Sequence, residues 1–321
     1  MKKNILLSVK IILSGLILVY LFSIIPISKI WTSIQSAEIF LVLIGLALLA
    51  PIIYLSAFET RYLTRIQGMS LTVFEIIKIN LATNFYGLFL PGILSGGAIK
   101  WYKLSKHGKK SSAAAVVVFN RFLEILIIVF IGILFSLPAF YSSGNRALFV
   151  GLVLIFFSMI IIYFLLLNKS GLDFIEKFIL IIPLPDLIKE TLEKSVNAMR
   201  QFQNLNLKDH FEIISLLLLY HGIGVISFFC FAKSLNIDLS IWVLGWIRSA
   251  MSIAIMLPLS FVGLGIREGT LVFLLGRYGV VPDVSMALSF LIFFRNILTS
   301  LLGGLFEFRE FTFSKKTEAS K

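Results

Sequence analysis

The sequence is short of the residues from which most soluble active sites are built. Its 321 residues include one cysteine and three histidines, and only 14% of them are charged. The single Cys230 cannot form a disulfide within the chain, and its apolar neighbours predict a packing role. His107, His210 and His221 are scattered without partners at ligand spacing, so we expect no metal site.

Acidic residues are also scarce. The 17 Asp and Glu against 29 Lys and Arg give a net charge of +12. In a soluble protein this balance would suggest nucleic-acid binding, but no recognition module is visible, so we expect no nucleic-acid partner. The basic residues lie between hydrophobic runs, where cytoplasmic retention of Lys and Arg and attraction to anionic headgroups explain them.

Long apolar runs dominate what is present. Hydrophobic residues make up 58% of the chain and its mean hydropathy is +0.97, more apolar surface than a soluble domain of this length can bury. The runs are unbroken, whereas strands of a membrane barrel alternate polar and apolar residues. We therefore predict an all-α polytopic membrane protein, one domain over residues 1–321, with about seven or eight transmembrane helices. The runs of spanning or nearly spanning length are 5–25, 39–58, 113–137, 148–167, 211–232, 241–257 and 284–306.

Two further segments, 73–95 and 258–281, are apolar but carry glycines and charges, so we expect re-entrant or broken helices there. Basic residues before the first run place the N-terminus in the cytoplasm. If 73–95 enters the membrane and returns, the lysine cluster at 100–110 stays cytoplasmic too. Both termini are then cytoplasmic, and we expect the protein in the cytoplasmic membrane. In the polar connection 168–210 apolar residues repeat at helical spacing, which predicts a structural amphipathic helix on the membrane surface.

The two irregular segments resemble each other, "PGILSGGAIK" in the first and "PLSFVGLGIR" in the second. The ungapped matches are Pro91 with Pro258, Gly96 with Gly263, Ile99 with Ile266, and Lys100 with Arg267. Each segment leads to a helix with an arginine inside it, Arg121 or Arg295, and the two helices are predicted to run in opposite directions. This pattern indicates an inverted repeat with halves 1–167 and 211–308, in which broken helices form a transport site. The alternative is two unrelated glycine-rich packing motifs.

Charged residues inside the apolar runs are the candidate substrate-binding residues. An arginine at a helix centre costs about 2.5–3.5 kcal/mol on insertion scales. Glu124 follows Arg121 by one helical turn and can pair with it, so a buried structural ion pair is the alternative explanation. Arg267 offers a bidentate phosphate donor, and Glu268 could neutralise it in an empty site.

Glycines accompany these charges in both segments. Gly263 and Gly265 precede a helix predicted to start near Ile266, whose amide groups would point at an anion. Gly96, Gly97 and Lys100 would play the mirrored part in the first half. Asn84, like Asn80, either lines the cavity or bonds between helices. No nucleotide-binding loop is recognisable, so we expect no cofactor.

These residues resemble the lysylphosphatidylglycerol synthase transmembrane-region family of flippase-like membrane proteins. The resemblance runs from about residue 10 to residue 308 and is carried by "NLATNFYGLFLPGILSGGAIKWYKLSK", the arginine of "FNRFLEIL" and "PLSFVGLGIREGTLVFLLGRYGV". It implies a role in translocating modified phospholipids or polyprenyl-linked glycolipids. Carried over by motif, the first site comprises Gly96, Gly97, Lys100 and Arg121, and the second comprises Gly263, Gly265, Arg267 and Glu268. The pattern departs at Ala98 and Asn120, where the family has acidic residues, which puts in doubt a mechanism that needs those carboxylates.

The leading hypothesis is a lipid flippase for a phosphate-bearing headgroup, not an enzyme, with membrane lipids as partners. A homodimer or a lipid-modifying enzyme partner is compatible with it. One alternative is a membrane subunit of a glycosyl- or acyl-transferase acting on lipid-linked substrate, for which Glu124 and Glu268 are the candidate bases. The other is a non-transporting scaffold that recruits partners through 168–210.

Overall fold

The computed structural model describes residues 15–89, 93–143, 146–181, 186–256 and 263–319. Every regular element in these ranges is a helix, which confirms the all-α class. The elements in chain order are α1 (Gly15–Ile24), α2 (Ile27–Gln35), α3 (Ile39–Ala47), α4 (Leu49–Ile66), α5 (Val73–Phe89), α6 (Ile93–Leu104), α7 (Lys110–Ser143), α8 (Arg146–Leu167), α9 (Lys169–Ile181), α10 (Asp186–Met199), a 3-10 helix (Arg200–Asn204), α11 (Leu207–Ser234), α12 (Ile241–Met256), α13 (Ile266–Gly276) and α14 (Pro282–Ala319).

Several of these helices are long and apolar enough to cross a bilayer. Among the described residues the candidate spans number 5, or up to 6 if α1 and α2, which meet at 80°, form one broken span. The 5 are Ile39–Ile66, Lys110–Pro138, Phe149–Leu167, Leu207–Ser234 and Pro282–Phe308. The protein is therefore a polytopic helical membrane protein, as predicted. The run 241–257 forms α12, whose 16 residues reach only about 24 Å at 1.5 Å per residue, less than a full span.

The span 39–66 is interrupted at Leu48, between α3 and α4. Pro51 has no N–H to donate to the carbonyl of Ala47 one turn earlier, so one backbone hydrogen bond of the helix is missing there. Gly45 lies against the ring of Phe231 on α11, and a Cβ at Gly45 would come within 2.7 Å of that ring. The Ser227 hydroxyl also donates to the Gly45 carbonyl at 2.8 Å. The break and the glycine together let α3 approach α11 closely.

α5 and α6 form a hairpin that begins and ends on one side of the molecule. The two helices pack together, and Met69 before α5 lies against Gly108 after α6. The end of α4 lies on the same side, because the Tyr62 hydroxyl donates to Asp209 at the start of α11. This geometry is what a re-entrant segment requires, and it keeps the lysines of 100–110 on the side where α4 ends.

α12 and α13 form a second hairpin that begins on the opposite side. The Trp246 indole near the start of α12 donates to the Tyr278 hydroxyl just after α13 at 3.2 Å. α11 spans the molecule and delivers the chain to that side, where Glu38 before α3 donates its backbone N–H to Ser234 at 2.8 Å. α14 then returns to the first side, where Phe306 meets Phe74 edge to face at 5.9 Å. The two hairpins thus enter from opposite sides.

The hairpins pack crosswise onto the long helices. α5 of the first hairpin packs on α14, α12 of the second packs on α7, and α4 packs on α11. Glycines allow both close approaches. A Cβ at Gly303 of α14 would collide with the Leu81 carbonyl of α5, and one at Gly245 of α12 would collide with the Phe135 ring of α7. Within the series α4 to α7 each helix packs on the next one, and the same is true within the series α11 to α14.

The ungapped sequence match between the two segments pairs residues that lie at different positions relative to these helices. Gly96 lies inside α6, whereas Gly263 lies in the turn before α13. α6 and α7 begin at Ile93 and Lys110, while α13 and α14 begin at Ile266 and Pro282, so the second half carries extra residues before its short helix. The matched Pro91 and Pro258 lie outside the described residues. The helices correspond, but the residue pairs of the sequence match do not.

The connection 168–210 folds into α9, α10 and the 3-10 helix. The end of the apolar stripe of α10 faces protein, because Val196 is buried with Leu172 of α9 and α10 packs on α7, whereas Leu192 is exposed. Arg200 bonds Asp173 at 2.8 Å and Glu176 at 2.6 Å, and these hydrogen bonds raise the pKa of the Arg200 guanidinium, which stays charged. The predicted amphipathic helix is present, but it covers the end of the bundle.

Candidate functional site

The polar side chains of the spans converge between α4, α6, α7, α11, α12 and α14. Arg121 and Glu124 lie near the middle of the span Lys110–Pro138, Tyr220 near the middle of Leu207–Ser234, and Arg295 near the middle of Pro282–Phe308. Each would be costly to hold in hydrocarbon without polar neighbours. The contacts of these and the neighbouring polar residues define three groups, and Arg267 with Glu268 forms a separate enclosed pair.

The first group is a buried network around Lys100 of α6. The Lys100 ammonium, on a residue only 9% exposed, donates to the Thr60 hydroxyl at 3.0 Å and to the Asn120 amide oxygen at 2.8 Å. The Asn120 amide donates in turn to both carboxylate oxygens of Glu59 at 2.9 and 2.8 Å. A buried cation and a buried anion are thus bridged by one amide. Glu59 of α4 supplies a carboxylate beside Asn120, where the family pattern noted above has an acidic residue.

The second group is the pair Arg121 and Glu124 on α7. The guanidinium donates to the carboxylate at 3.1 Å across one helical turn, as their spacing predicts. Both side chains stay partly accessible, at 44% and 23%. The pair lies within electrostatic range of Lys100, and Glu124 also lies within range of the Tyr220 hydroxyl. The pair therefore borders the same polar region as the Lys100 network without being buried in it.

Arg267 and Glu268 are enclosed and bound to each other. They are 3% and 2% exposed, and the guanidinium donates to the Glu268 carboxylate at 2.5 Å through Nη2 and 3.0 Å through Nε. Ser289 accepts from Arg267 and donates to Glu268, both at 2.8 Å. The Phe293 ring lies 4.9 Å from the guanidinium. Glu268 thus neutralises Arg267, as expected for an empty site, and both side chains are enclosed as a buried ion pair.

The glycines next to this pair shape a turn. Gly263 and Gly265 have φ of +77° and +82°, values that side-chain-bearing residues rarely adopt. α13 begins at Ile266, as predicted, but the Gly265 N–H donates to the Glu268 carboxylate at 2.7 Å. Glu268 therefore occupies the helix N-terminus that was expected to face an anion.

The predicted residues of the first hairpin contact neighbouring helices. A Cβ at Gly96 would lie 3.5 Å from Thr83 of α5, and one at Gly97 would lie 3.6 Å from Val117 of α7, ordinary packing distances. Asn84 is exposed, and its backbone carbonyl accepts from the Ser300 hydroxyl of α14 at 3.2 Å. These contacts give the glycines a packing environment and leave Asn84 accessible.

The third group is Arg248 of α12, Arg295 of α14 and Tyr220 of α11. The two guanidinium groups lie within electrostatic range of each other and of the Tyr220 hydroxyl. All three residues lie deep in the bundle and are still partly accessible, as side chains lining an internal cleft are. Among the described residues no carboxylate comes within ion-pair distance of Arg248 or Arg295. We call the polar region that these three residues and the pair Arg121 and Glu124 share the central cleft.

Sequence reasoning missed Glu59, Arg248 and Tyr220. Arg248 lies within an apolar run, which is the criterion that identified Arg121 and Arg295, so the signal was present. Glu59 directly follows the run 39–58, so in the sequence it looks like the polar end of a transmembrane helix. Tyr220 carries no sequence signal, because tyrosine is common in membrane helices. Within the described residues no group of His, Cys, Asp and Glu is arranged to hold a metal ion.

These features define a polytopic helical membrane protein with two short helical hairpins and a group of cationic side chains deep between its long helices. The family model for the lysylphosphatidylglycerol synthase TM region matches residues 5–304, and the chain belongs to this family. The family indicates a membrane protein of lipid metabolism. No curated protein and no solved structure matches the chain.

Proposed function

We propose that this protein translocates a phosphate-bearing lipid, either an aminoacylated phospholipid or a polyprenyl-linked glycolipid, across the cytoplasmic membrane. The observation that carries the proposal is the gathering of charged side chains from α7, α12 and α14 in one polar region, between helices on which the two hairpins pack. The headgroup would cross through the central cleft while the acyl chains stay in the bilayer.

The crosswise packing supports this function. We propose that α4 to α7 and α11 to α14 are inverted repeats, the arrangement in which rocking of one half against the other exposes a midplane site alternately to each side. α5 rests on α14 and α12 rests on α7, so each hairpin lies against a helix of the other half. A tilt of one half would therefore open one side of the cleft as it closes the other.

The contacts weaken the alternative of a transferase. A general base needs a free carboxylate or imidazole within reach of substrate. Glu124 is paired with Arg121, and Glu268 is enclosed by Arg267, Ser289 and the N–H of Gly265. Both candidate bases are therefore engaged, and we retain transport as the proposed function.

The proposal is tested by lipid translocation in proteoliposomes. Fluorescent phosphatidylglycerol with an intact headgroup would be followed by quenching from one side, with native protein, with empty liposomes and with Arg121→Gln/Glu124→Gln. The double substitution removes a charge pair from the edge of the central cleft without changing net charge. Its control is Lys208→Gln/Glu212→Gln, which removes an exposed pair, 3.9 Å apart, at the start of α11.

We expect native protein to exceed empty liposomes, the control pair to match native protein, and the cleft pair to lose about tenfold or more of the rate, as for removal of an interaction of ~1.4 kcal/mol. Native protein that moves lipid no faster than empty liposomes would refute the proposal.

A further inference from the structure

Arg295 carries a buried hydrogen-bond donor that nothing in the described structure satisfies. Its Nε is buried without a partner, and its only side-chain hydrogen bond among the described residues is a long one, 3.4 Å from Nη2 to the Asn296 amide oxygen. A buried unsatisfied donor on a charged group costs more than one on a neutral group. In native proteins such a group calls for a specific explanation, such as a bound ion, an ordered water or a functional role.

Arg248 adds a second guanidinium to the same place. It approaches Arg295 although like charges repel, and the described residues give it neither an ion pair nor a side-chain hydrogen bond. Its Nη2 lies against Gly224 of α11, where a Cβ would collide with it. The missing side chain on α11 therefore makes the room that the Arg248 headgroup occupies.

The other polar groups nearby are also available. The Tyr220 hydroxyl lies within electrostatic range of both arginines. Two carboxylates are also within range of that hydroxyl, and both are engaged, Glu124 with Arg121 and Glu59 with Asn120. His221 lies near Arg248, and both of its ring nitrogens are buried without partners. Because one ring nitrogen of a neutral imidazole donates, the region holds four donor groups. The arrangement is cationic and rich in donors.

We infer that Arg248 and Arg295, with Tyr220, form a binding site for a phosphate oxyanion in the central cleft. Two planar guanidinium forks suit phosphate oxygens, and an anion between them would offset their repulsion and satisfy the Arg295 Nε. This inference deepens the proposed function by placing the headgroup phosphate in the second half of the chain. Arg267, which sequence reasoning favoured, takes no part, since Glu268 and Ser289 hold it.

The inference is tested by equilibrium binding, which does not depend on transport. The full-length protein in an uncharged maltoside detergent would be titrated by calorimetry with dihexanoyl phosphatidylglycerol, with inorganic phosphate and with dihexanoylglycerol, which lacks the phosphate. The variants are Arg248→Gln and Arg295→Gln, and Arg277→Gln is the matched control because it removes an exposed arginine after α13. Gly224→Ala is a further variant that keeps both charges but displaces the Arg248 headgroup, and the flexible side chain can yield without unfolding the helix.

We expect the native protein and Arg277→Gln to bind the phospholipid equally and dihexanoylglycerol not measurably. Arg248→Gln, Arg295→Gln and Gly224→Ala should each weaken phospholipid binding about tenfold or more. Competition by inorganic phosphate would mean that the site also takes the free anion, and its absence would mean that the lipid is required. Unchanged affinity in both arginine variants, or equal binding of dihexanoylglycerol, overturns the inference. A protein that binds but moves no lipid refutes only the proposed function.

Discussion

Two arginines of this chain stand in opposite situations although both lie in apolar segments. Arg267 has a carboxylate, a hydroxyl and an aromatic ring around it, whereas Arg295 has a buried donor with no partner among the described residues. Burying a charge is tolerated when its hydrogen bonds are complete and costly when they are not. We therefore expect Arg267 to contribute to stability and propose Arg295 for ligand binding.

At the residue scale we predict that Glu268→Gln destabilises the protein strongly. The substitution leaves the Arg267 charge buried without its counter-ion, which typically costs about 3–5 kcal/mol. Thermal unfolding of purified protein in detergent should show a clear loss for Glu268→Gln and a smaller one for Ser289→Ala, which removes only a hydroxyl. If Glu268→Gln unfolds like the native protein but binds or moves lipid poorly, the pair belongs to the site after all.

The Lys100 network gives a second prediction at this scale. Asn120→Leu removes the amide that bridges the Lys100 ammonium and the Glu59 carboxylate, so each loses its hydrogen bond in a buried place. We expect a loss of more than ~2 kcal/mol of unfolding free energy. Thr60→Val, which removes one acceptor of Lys100, should cost less. Denaturant titration of the two variants checks the order, and equal stability of Asn120→Leu and native protein would contradict the network.

Sequence alone identified these charges but not their roles. The spacing of Arg121 and Glu124 was enough to predict their pairing, because residues one turn apart on a helix are neighbours. The sequence also suggested that Glu268 could neutralise Arg267, but the enclosure of the pair depends on Ser289 and on a turn whose φ values come from the folded chain. Arg248 had the same sequence signal as Arg121 and Arg295, an arginine inside an apolar run, and its proximity to Arg295 follows from the packing of the helices.

For pairs of helices, glycine residues determine how closely the two backbones can approach. Gly303 brings α14 against the backbone of α5, where a Cβ would meet the Leu81 carbonyl, an atom that cannot move aside alone. We predict that Gly303→Val separates α14 from α5 and lowers the unfolding temperature, with a cost in the range of ~1–3 kcal/mol seen for overpacking.

The matched control is Gly151→Val on α8, because a Cβ there meets nothing within 4 Å. Thermal unfolding of the two variants under the same conditions is the measurement. Equal effects of the two substitutions would show that the close approach of α14 to α5 contributes little.

The apolar runs predicted most of the long helices, because a continuous stretch of that length has few other solutions in a membrane. The run 148–167 became α8 within two residues. The short helices were harder. The sequence of α12 suggests a nearly spanning helix. Only its packing on α7 and on the following helix α13 shows that it is one arm of a hairpin.

At the scale of the whole molecule, the opposite entry of the two hairpins can be measured by sided labelling. In a background with Cys230→Ala, single cysteines would replace Thr72 and His107, which flank the first hairpin, and Asp238 and Arg277, which flank the second. We expect an impermeant maleimide to label the first two from one side of the membrane and the last two from the other. Thr72→Cys and His107→Cys labelled from opposite sides would mean that α5 and α6 cross the membrane.

The inverted repeat expected from two similar glycine-rich segments stays a prediction, and the residues matched there lie in different secondary structure. Gly96 lies in a helix and Gly263 in a turn. Helix order and packing follow from apolar length and loop charge, which sequence displays directly. The register between the halves depends on the extra residues before α13, which only the folded chain reveals.

The central claim is that the guanidinium groups of Arg248 and Arg295 carry the lipid phosphate through the cleft. Its most direct test compares translocation of phosphatidylglycerol in proteoliposomes by native protein, Arg248→Gln, Arg295→Gln and Arg277→Gln at equal reconstitution. The account predicts that the two cleft variants lose about tenfold or more of the native rate while Arg277→Gln keeps it. Native rates in both cleft variants would contradict the account.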